Sequence, residues 1–387
     1  MLSKIFIQHF ISLLAGLIPI IILYWYIHPS GIYDLLFGLD VIILFFFASK
    51  NEKLYKHRNY WLITFFLCMT YMVCAWAQKD SVNGSILTKI ILSSLLAFSF
   101  IYNKLDILYM KIAHIYISIF CILNIRYLGY VPFETASINA VSIFVIILAS
   151  TINFIELYNS QKISIVPSVV SVVACLYSDS RNGFITSLIY LCLILALTWH
   201  NTTRYHRYIL FAFVVYSIYF ITNNISLILD FNIFSRFDYR GLDLNQRDIL
   251  WQGYLDQVDF SSFLFGVDYN DVPEIVSISE NRNPHSSLIQ AHNKFGVIGL
   301  GLLINILWLL FKMLKNRKYA IFVIVAAALS RSVTDSVFFV YLFDYFIFLI
   351  ILLSDPLIYS RLILKDKPDN SHKATNSNNT THLCVNI

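Results

Sequence analysis

Twelve stretches of this chain are apolar over most of the length needed to cross a lipid bilayer, and that succession limits the fold more than anything else in the sequence. A helix needs about 20 mainly apolar residues to traverse the hydrocarbon core. Such runs lie near 5–27, 32–49, 60–77, 86–102, 107–125, 138–156, 163–178, 183–199, 208–229, 286–311, 319–334 and 337–354. In lipid each backbone N–H and C=O must be satisfied within the segment, so runs of this kind predict helices. The expected fold is an all-α integral membrane protein of about twelve transmembrane helices with one large loop on the outer side. An outer-membrane barrel is excluded, because its strands would show only a period-two alternation. Arg331 and Asp335 interrupt the last two runs.

Composition agrees with lipid as the main solvent. Hydrophobic residues make up 58% of the 387 positions and charged residues 13%, against roughly 25% charged in a soluble domain. That balance also excludes a disordered chain, a collagen-like repeat and a disulfide scaffold. Five of the six cysteines (Cys68, Cys74, Cys121, Cys175 and Cys192) fall in apolar runs, and no spacing suggests a metal or redox site. They read as small core hydrophobes.

Orientation follows from the basic residues in the connections. With the N-terminus inside, 18 of the 28 Lys and Arg fall on the inner side and nine on the outer. Both termini are expected in the cytoplasm, and the first run reads as a retained helix. The net charge of +5 reflects this bias and calls for no nucleic-acid partner. The chain divides into membrane helices over 1–229, a large loop over 230–285, membrane helices over 286–360, and a polar tail over 361–387 expected to be disordered.

The large loop holds ten acidic residues, four arginines and many aromatics. Within it, Ile249, Leu250, Tyr254, Leu255 and Val258 recur at helical spacing. They predict a short amphipathic helix at the membrane interface, with Trp251 as its anchor. Seven of the nine outer basic residues are Arg, whereas the inner side is mostly Lys. Lys serves the topological bias as a point charge, but the planar Arg fork grips phosphate in a bidentate way. Arginines placed against the bias therefore point to an anionic, phosphorylated ligand. The alternative for each is pairing with the loop's own carboxylates.

Three segments, in order, resemble the O-antigen polymerase and O-antigen ligase superfamily of bacterial membrane glycosyltransferases. The first is Asp179-Ser180-Arg181-Asn182-Gly183, opening a helix. The second runs from Arg247, Leu250 and Trp251 to Leu264-Phe265-Gly266-Val267. The third is Pro284-His285-Ser286-Ser287-Leu288 followed by Gly296 and Gly299. The family more often has Asn where Ser286 stands. The resemblance covers the C-terminal half and the topology.

It implies a metal-independent enzyme without a cofactor, acting on an undecaprenyl-pyrophosphate-linked oligosaccharide at the outer membrane face. A polymerase would use the next lipid-linked unit as acceptor, and a ligase the lipid A–core. A chain-length regulator, a flippase and membrane lipid would be its partners. A pyrophosphate leaving at low dielectric needs fixed positive charge, and preorganised electrostatics is usually the largest catalytic contribution. Arg181 and Arg247 are the candidates for that charge, with Arg240 and Arg282 as further ones. A sugar hydroxyl is a poor nucleophile, and His285 is the candidate to orient or deprotonate it.

Bland readings stand beside these. Arg181 can pair locally with Asp179, and His285 can be a helix cap. His292 lies on the His285 face, but no carboxylate or Cys completes a metal site. Arg331 and Asp335 are substrate-binding candidates as ionisable groups at membrane depth, or else an internal pair four residues apart. Asp344 can face the bundle interior, and Lys294 can snorkel to the interface. The polymerase reading leads, because nothing in the acidic loop marks a site for the strongly anionic lipid A–core. A flippase would instead show related halves and a charged central cavity, and a receptor or scaffold is the last alternative.

Overall fold

The structure is a computed structural model describing residues 2–79, 82–128, 139–160, 162–201, 247–278, 285–333, 335–339, 343–355 and 358–359. Its helices are α1 (Leu2–Ile27), α2 (Gly31–Asn51), α3 (Arg58–Ala77), α4 (Gly84–Tyr102), α5 (Ile107–Tyr127), α6 (Asn139–Ser160), α7 (Val166–Tyr177) and α8 (Arg181–Asn201). After the gap come α9 (Arg247–Asp256), α10 (Phe260–Phe265), α11 (Pro273–Ile278), α12 (Ser287–Lys315), α13 (Tyr319–Val333) and α14 (Tyr345–Leu352). No strand occurs among the described residues. Eight helices are long and apolar enough to cross a membrane, so the expected all-α polytopic membrane fold stands. The run at 208–229 and the tail from 361 lie outside the described residues.

Three expected spans form shorter helices. In α7 the helix covers 12 residues and in α13 it covers 15, so at 1.5 Å per residue they reach about 18 and 22 Å. Among the described residues of the last run, 337–354, the eight of α14 are the helical ones. Every residue of α14 is buried, so it is shielded by protein. Residues 335–339 before it are not helical. Unwound backbone is tolerated at membrane depth only where protein satisfies it, and side chains do so here. Ser287 Oγ accepts from the backbone N–H of Val337 at 2.8 Å and of Phe338 at 3.1 Å. Asp344 Oδ1 accepts from the N–H of Phe339 at 2.6 Å.

Side-chain contacts sort the helix ends into two groups. At one end, the start of α6 meets the start of α8 and the end of α13, through Ser142, Ser180 and Arg331. At the other, His57 beside the start of α3 meets Tyr102 at the end of α4 (2.9 Å) and Asp355 beyond α14 (2.7 Å). Helix α6 is the centre of the bundle, with almost all of its surface buried. Helices α4, α6, α8 and α14 therefore run one way and α3 and α13 the other.

The segment 247–278 builds a small apolar cluster of its own from Leu250, Tyr254, Val267, Val272 and Ile275. The amphipathic helix expected there is α9, but its buried face is narrower than the spacing suggested. Leu250 and Tyr254 are buried, whereas Ile249 and Leu255 point away. Neighbouring residues on a helix are about 100° apart, so they cannot share a narrow face.

This segment is locked to α12. Gly296 breaks α12 with φ 53° and ψ −142°, a left-handed backbone that L side chains rarely adopt. Any side chain there would collide with the carbonyl of Leu264 in α10. Asn293 Nδ2 donates to the carbonyl of Val267 at 2.6 Å. Gln78, beyond α3, donates to the carbonyls of Phe265 and Asn293, both at 2.7 Å.

Candidate active site

Asp335 is the point on which the charged residues of one bundle end converge. It follows the C-terminus of α13 and is only 5% exposed. Arg331, one turn earlier, reaches its Oδ2 at 2.6 Å. Arg247, at the first position of α9, reaches its Oδ1 at 3.3 Å. His285 Nδ1 lies 3.8 Å from the same Oδ1. Burial pushes the Asp335 carboxyl up, but Arg331, His285 and Arg247 together hold it below the usual carboxylate range.

Arg181 completes a group of three arginines. Burial pushes the Arg247 guanidinium down, Asp335 holds it up, and the charges of Arg331 and Arg181 push it down again. Among the described residues, three guanidiniums thus act on one another around the buried Asp335 carboxylate. Gathering like charges in this way is costly and marks functional sites more often than structural ones.

Each side chain is positioned by its own element. Arg331 is almost fully buried, and its Nε donates to Ser142 Oγ at 3.0 Å. Ser180 Oγ donates to Ser142 Oγ at 3.0 Å and lies 3.2 Å from Asn139 Oδ1. This approach of α6 and α8 needs Gly183, where any side chain would collide with Ser142. Asp179, just before Ser180, has φ 55° and pairs with Arg126 at 3.1 Å. His285 stands before α12 with φ 52° and its side chain 38% exposed. Left-handed backbone at non-glycine residues costs roughly 1–3 kcal/mol and clusters at functional sites.

Ser287 ties the site to the unwound segment. Its hydroxyl donates to the carbonyl of Asp335 at 2.9 Å and accepts from Val337 and Phe338. That uses the one donor and two acceptor positions a hydroxyl has.

The structure thus brings Arg181, Arg247, His285, Arg331 and Asp335 together. Arg331 and Asp335 are an internal pair and also part of the group. Trp251 packs against the α9–α11 apolar cluster. Arg240 and Arg282 lie outside the described residues. Among the described residues, Arg247 pairs with Asp335 of the membrane bundle. His292 is a brace: its Nδ1 lies 2.9 Å from the Tyr254 hydroxyl and its Nε2 lies 3.0 Å from the Phe263 carbonyl. Lys294 lies 6.0 Å from the centre of the Tyr269 ring, and Asp344 is buried in the bundle. Sequence reasoning missed Ser142 and Ser287. A serine in an apolar run carries no local signal, whereas Ser287 stood inside a motif whose other serine drew the attention.

Residues 166–304 match the family model described as O-antigen ligase. No curated protein matches the chain. The matched stretch contains all three sequence segments, and with them Arg181, Arg247 and His285. Over residues 166–304 the chain is thus similar to the O-antigen ligase family, within a polytopic membrane bundle.

Proposed function

We propose that this protein is the polymerase of a lipid-linked O-antigen. It transfers the growing glycan from undecaprenyl pyrophosphate to the next lipid-linked repeat unit at the periplasmic face of the bacterial inner membrane. The observation that carries this reading is the convergence of Arg181, Arg247 and Arg331 with Asp335 and His285 at one bundle end. The positive-inside bias of the connections supports that end as periplasmic.

In the proposed reaction an acceptor hydroxyl oxygen attacks the anomeric carbon of the donor's reducing-end sugar. The bond from that carbon to the pyrophosphate oxygen breaks, and the electron pair leaves with the pyrophosphate. Arg181 and Arg247 bind the departing charge, while Arg331 holds Asp335 and through it fixes Arg247. His285 accepts the hydroxyl proton on Nε2, with Nδ1 turned toward Asp335. Arg240 and Arg282 extend the phosphate site, and Trp251 anchors α9 at the interface. The residues named here require no cofactor, and we assign the reaction no metal. We assign the chain membrane helices over 1–229 and 286–360 with the large loop over 230–285 between them in sequence, and the flippase and a chain-length regulator as its partners.

The ligase reading shares this chemistry and differs in the acceptor. The segment 247–278 carries Asp248, Asp256, Asp259, Asp268, Asp271 and Glu274 against the single cation Arg247, which suits a neutral glycan better than an anionic lipid A–core. The test is deletion of the gene in its host, followed by gel analysis of the lipopolysaccharide. A core bearing one repeat unit, with the ladder gone, is the polymerase result. A bare core with long chains held on the carrier lipid means a ligase. An unchanged ladder sinks both.

A further inference from the structure

A second polar group lies at the same bundle end, on helices that the chemistry above does not use. Lys89 stands on the second turn of α4, where a cation in an apolar helix is costly without a purpose. Its ammonium lies 5.0 Å from the centre of the Trp25 ring, near the end of α1. Asp34 lies in the first turn of α2 and Asp344 just before α14, and both helices pack against α4. Tyr33, beside Asp34, stacks on Tyr24 at 6.2 Å.

This group is joined to the candidate active site by packing. Trp25 meets Tyr26 at 5.2 Å, Tyr26 meets Phe343 at 6.2 Å, and Phe343 meets Phe144 at 4.8 Å, two residues beyond Ser142. Asp344 also binds the backbone of Phe339 in the unwound segment after Asp335. Asp34 is exposed, and Trp25, Tyr33 and Lys89 are each partly exposed. The group is therefore not closed off inside the bundle.

We propose that Trp25, Tyr33, Asp34 and Lys89 form a glycan-binding subsite that holds the sugar chain of a lipid-linked oligosaccharide beside the reacting bond. Aromatic faces cover the apolar face of a pyranose, while a few placed charges meet its hydroxyls, the usual make-up of a small-ligand site. Two carboxylates for one ammonium leave the group acidic, so it takes hydroxyls rather than phosphate. The proposal rests on the polymerase reading and adds where the glycan lies.

The test uses the full-length protein in lipid nanodiscs. The probe is the host's repeat-unit oligosaccharide, released from its carrier lipid by mild acid, radiolabelled, and measured by equilibrium dialysis. Wild type should bind it saturably, with Lys89→Met, Trp25→Ala and Asp34→Asn at least tenfold weaker. Lys89→Arg should retain binding, which separates a lost contact from a lost fold. Asp34→Asn changes only an exposed side chain and keeps the test decisive if the others misfold. Equal binding by wild type and Asp34→Asn, or no saturable binding by wild type, overturns the subsite. Saturable binding alongside an unchanged ladder in the deletion strain would sink the polymerase reading alone.

Discussion

Arg247 and Asp335 are 88 residues apart in the chain, yet the guanidinium of one lies 3.3 Å from the carboxylate of the other. The contact joins the first residue of α9 to the unwound link between α13 and α14. It gives the buried carboxylate two arginine partners, and it sets Arg247 beside Arg181. Through it the loop segment and the membrane bundle share one site.

Removing the Asp335 carboxylate leaves Arg331 charged and almost fully buried. Breaking a buried pair from one side costs about 3–5 kcal/mol. Asp335→Ala should therefore lower the thermal unfolding temperature of the purified protein strongly, with loss of polymer. A double variant with Arg331→Met should recover part of that stability. A single variant as stable as wild type would show that the pair does not hold the fold.

Substitutions at Arg247 should separate charge from geometry. A preorganised charge contact is worth about 10²–10³ in rate, so Arg247→Ala should slow polymer formation by about that much. Arg247→Lys should restore little, since a point charge does not replace the planar fork. Initial rates of chain extension from purified lipid-linked units measure both. Full activity in the Lys variant would argue against a bidentate phosphate contact.

Stability should depend on pH through Asp335. Its carboxyl is held below the usual range in the folded protein, despite burial, by Arg331, His285 and Arg247. A depressed folded value means stabilisation present above the unfolded carboxyl's range and lost as the pH falls through the folded one. Unfolding temperature should drop on the acid side, and Asp335→Asn should flatten that slope. Parallel acid profiles for wild type and Asp335→Asn would contradict this.

Gly296→Ala tests the lock between α10 and α12. A methyl group there meets the carbonyl of Leu264, and the backbone is left-handed. A non-glycine residue in such a conformation costs roughly 1–3 kcal/mol before any collision. The variant should expose the 247–278 segment to protease at concentrations that leave wild type intact. Unchanged protease resistance would mean that the break in α12 tolerates a side chain.

Much of this molecule was legible from single positions. The length of the apolar runs dictated helices, because lipid offers the backbone no other partner. The excess of Lys and Arg in alternate connections gave an expected sidedness, and Arg on the unfavoured side marked Arg181 and Arg247 as candidates. His285 came from its neighbours, Pro284 and the Gly296–Gly299 pair. Tertiary structure alone decided the rest. A hydropathy run cannot distinguish a helix facing lipid from one buried in protein, so the eight-residue α14 and the unwound residues 337–339 read as parts of one span. Nor can local sequence tell that Asp335 draws in Arg247 as well as Arg331, or that Ser142 and Ser287 brace the group. Those roles depend on contacts between residues far apart in the chain, formed only where helix ends meet and buried polar groups must find partners.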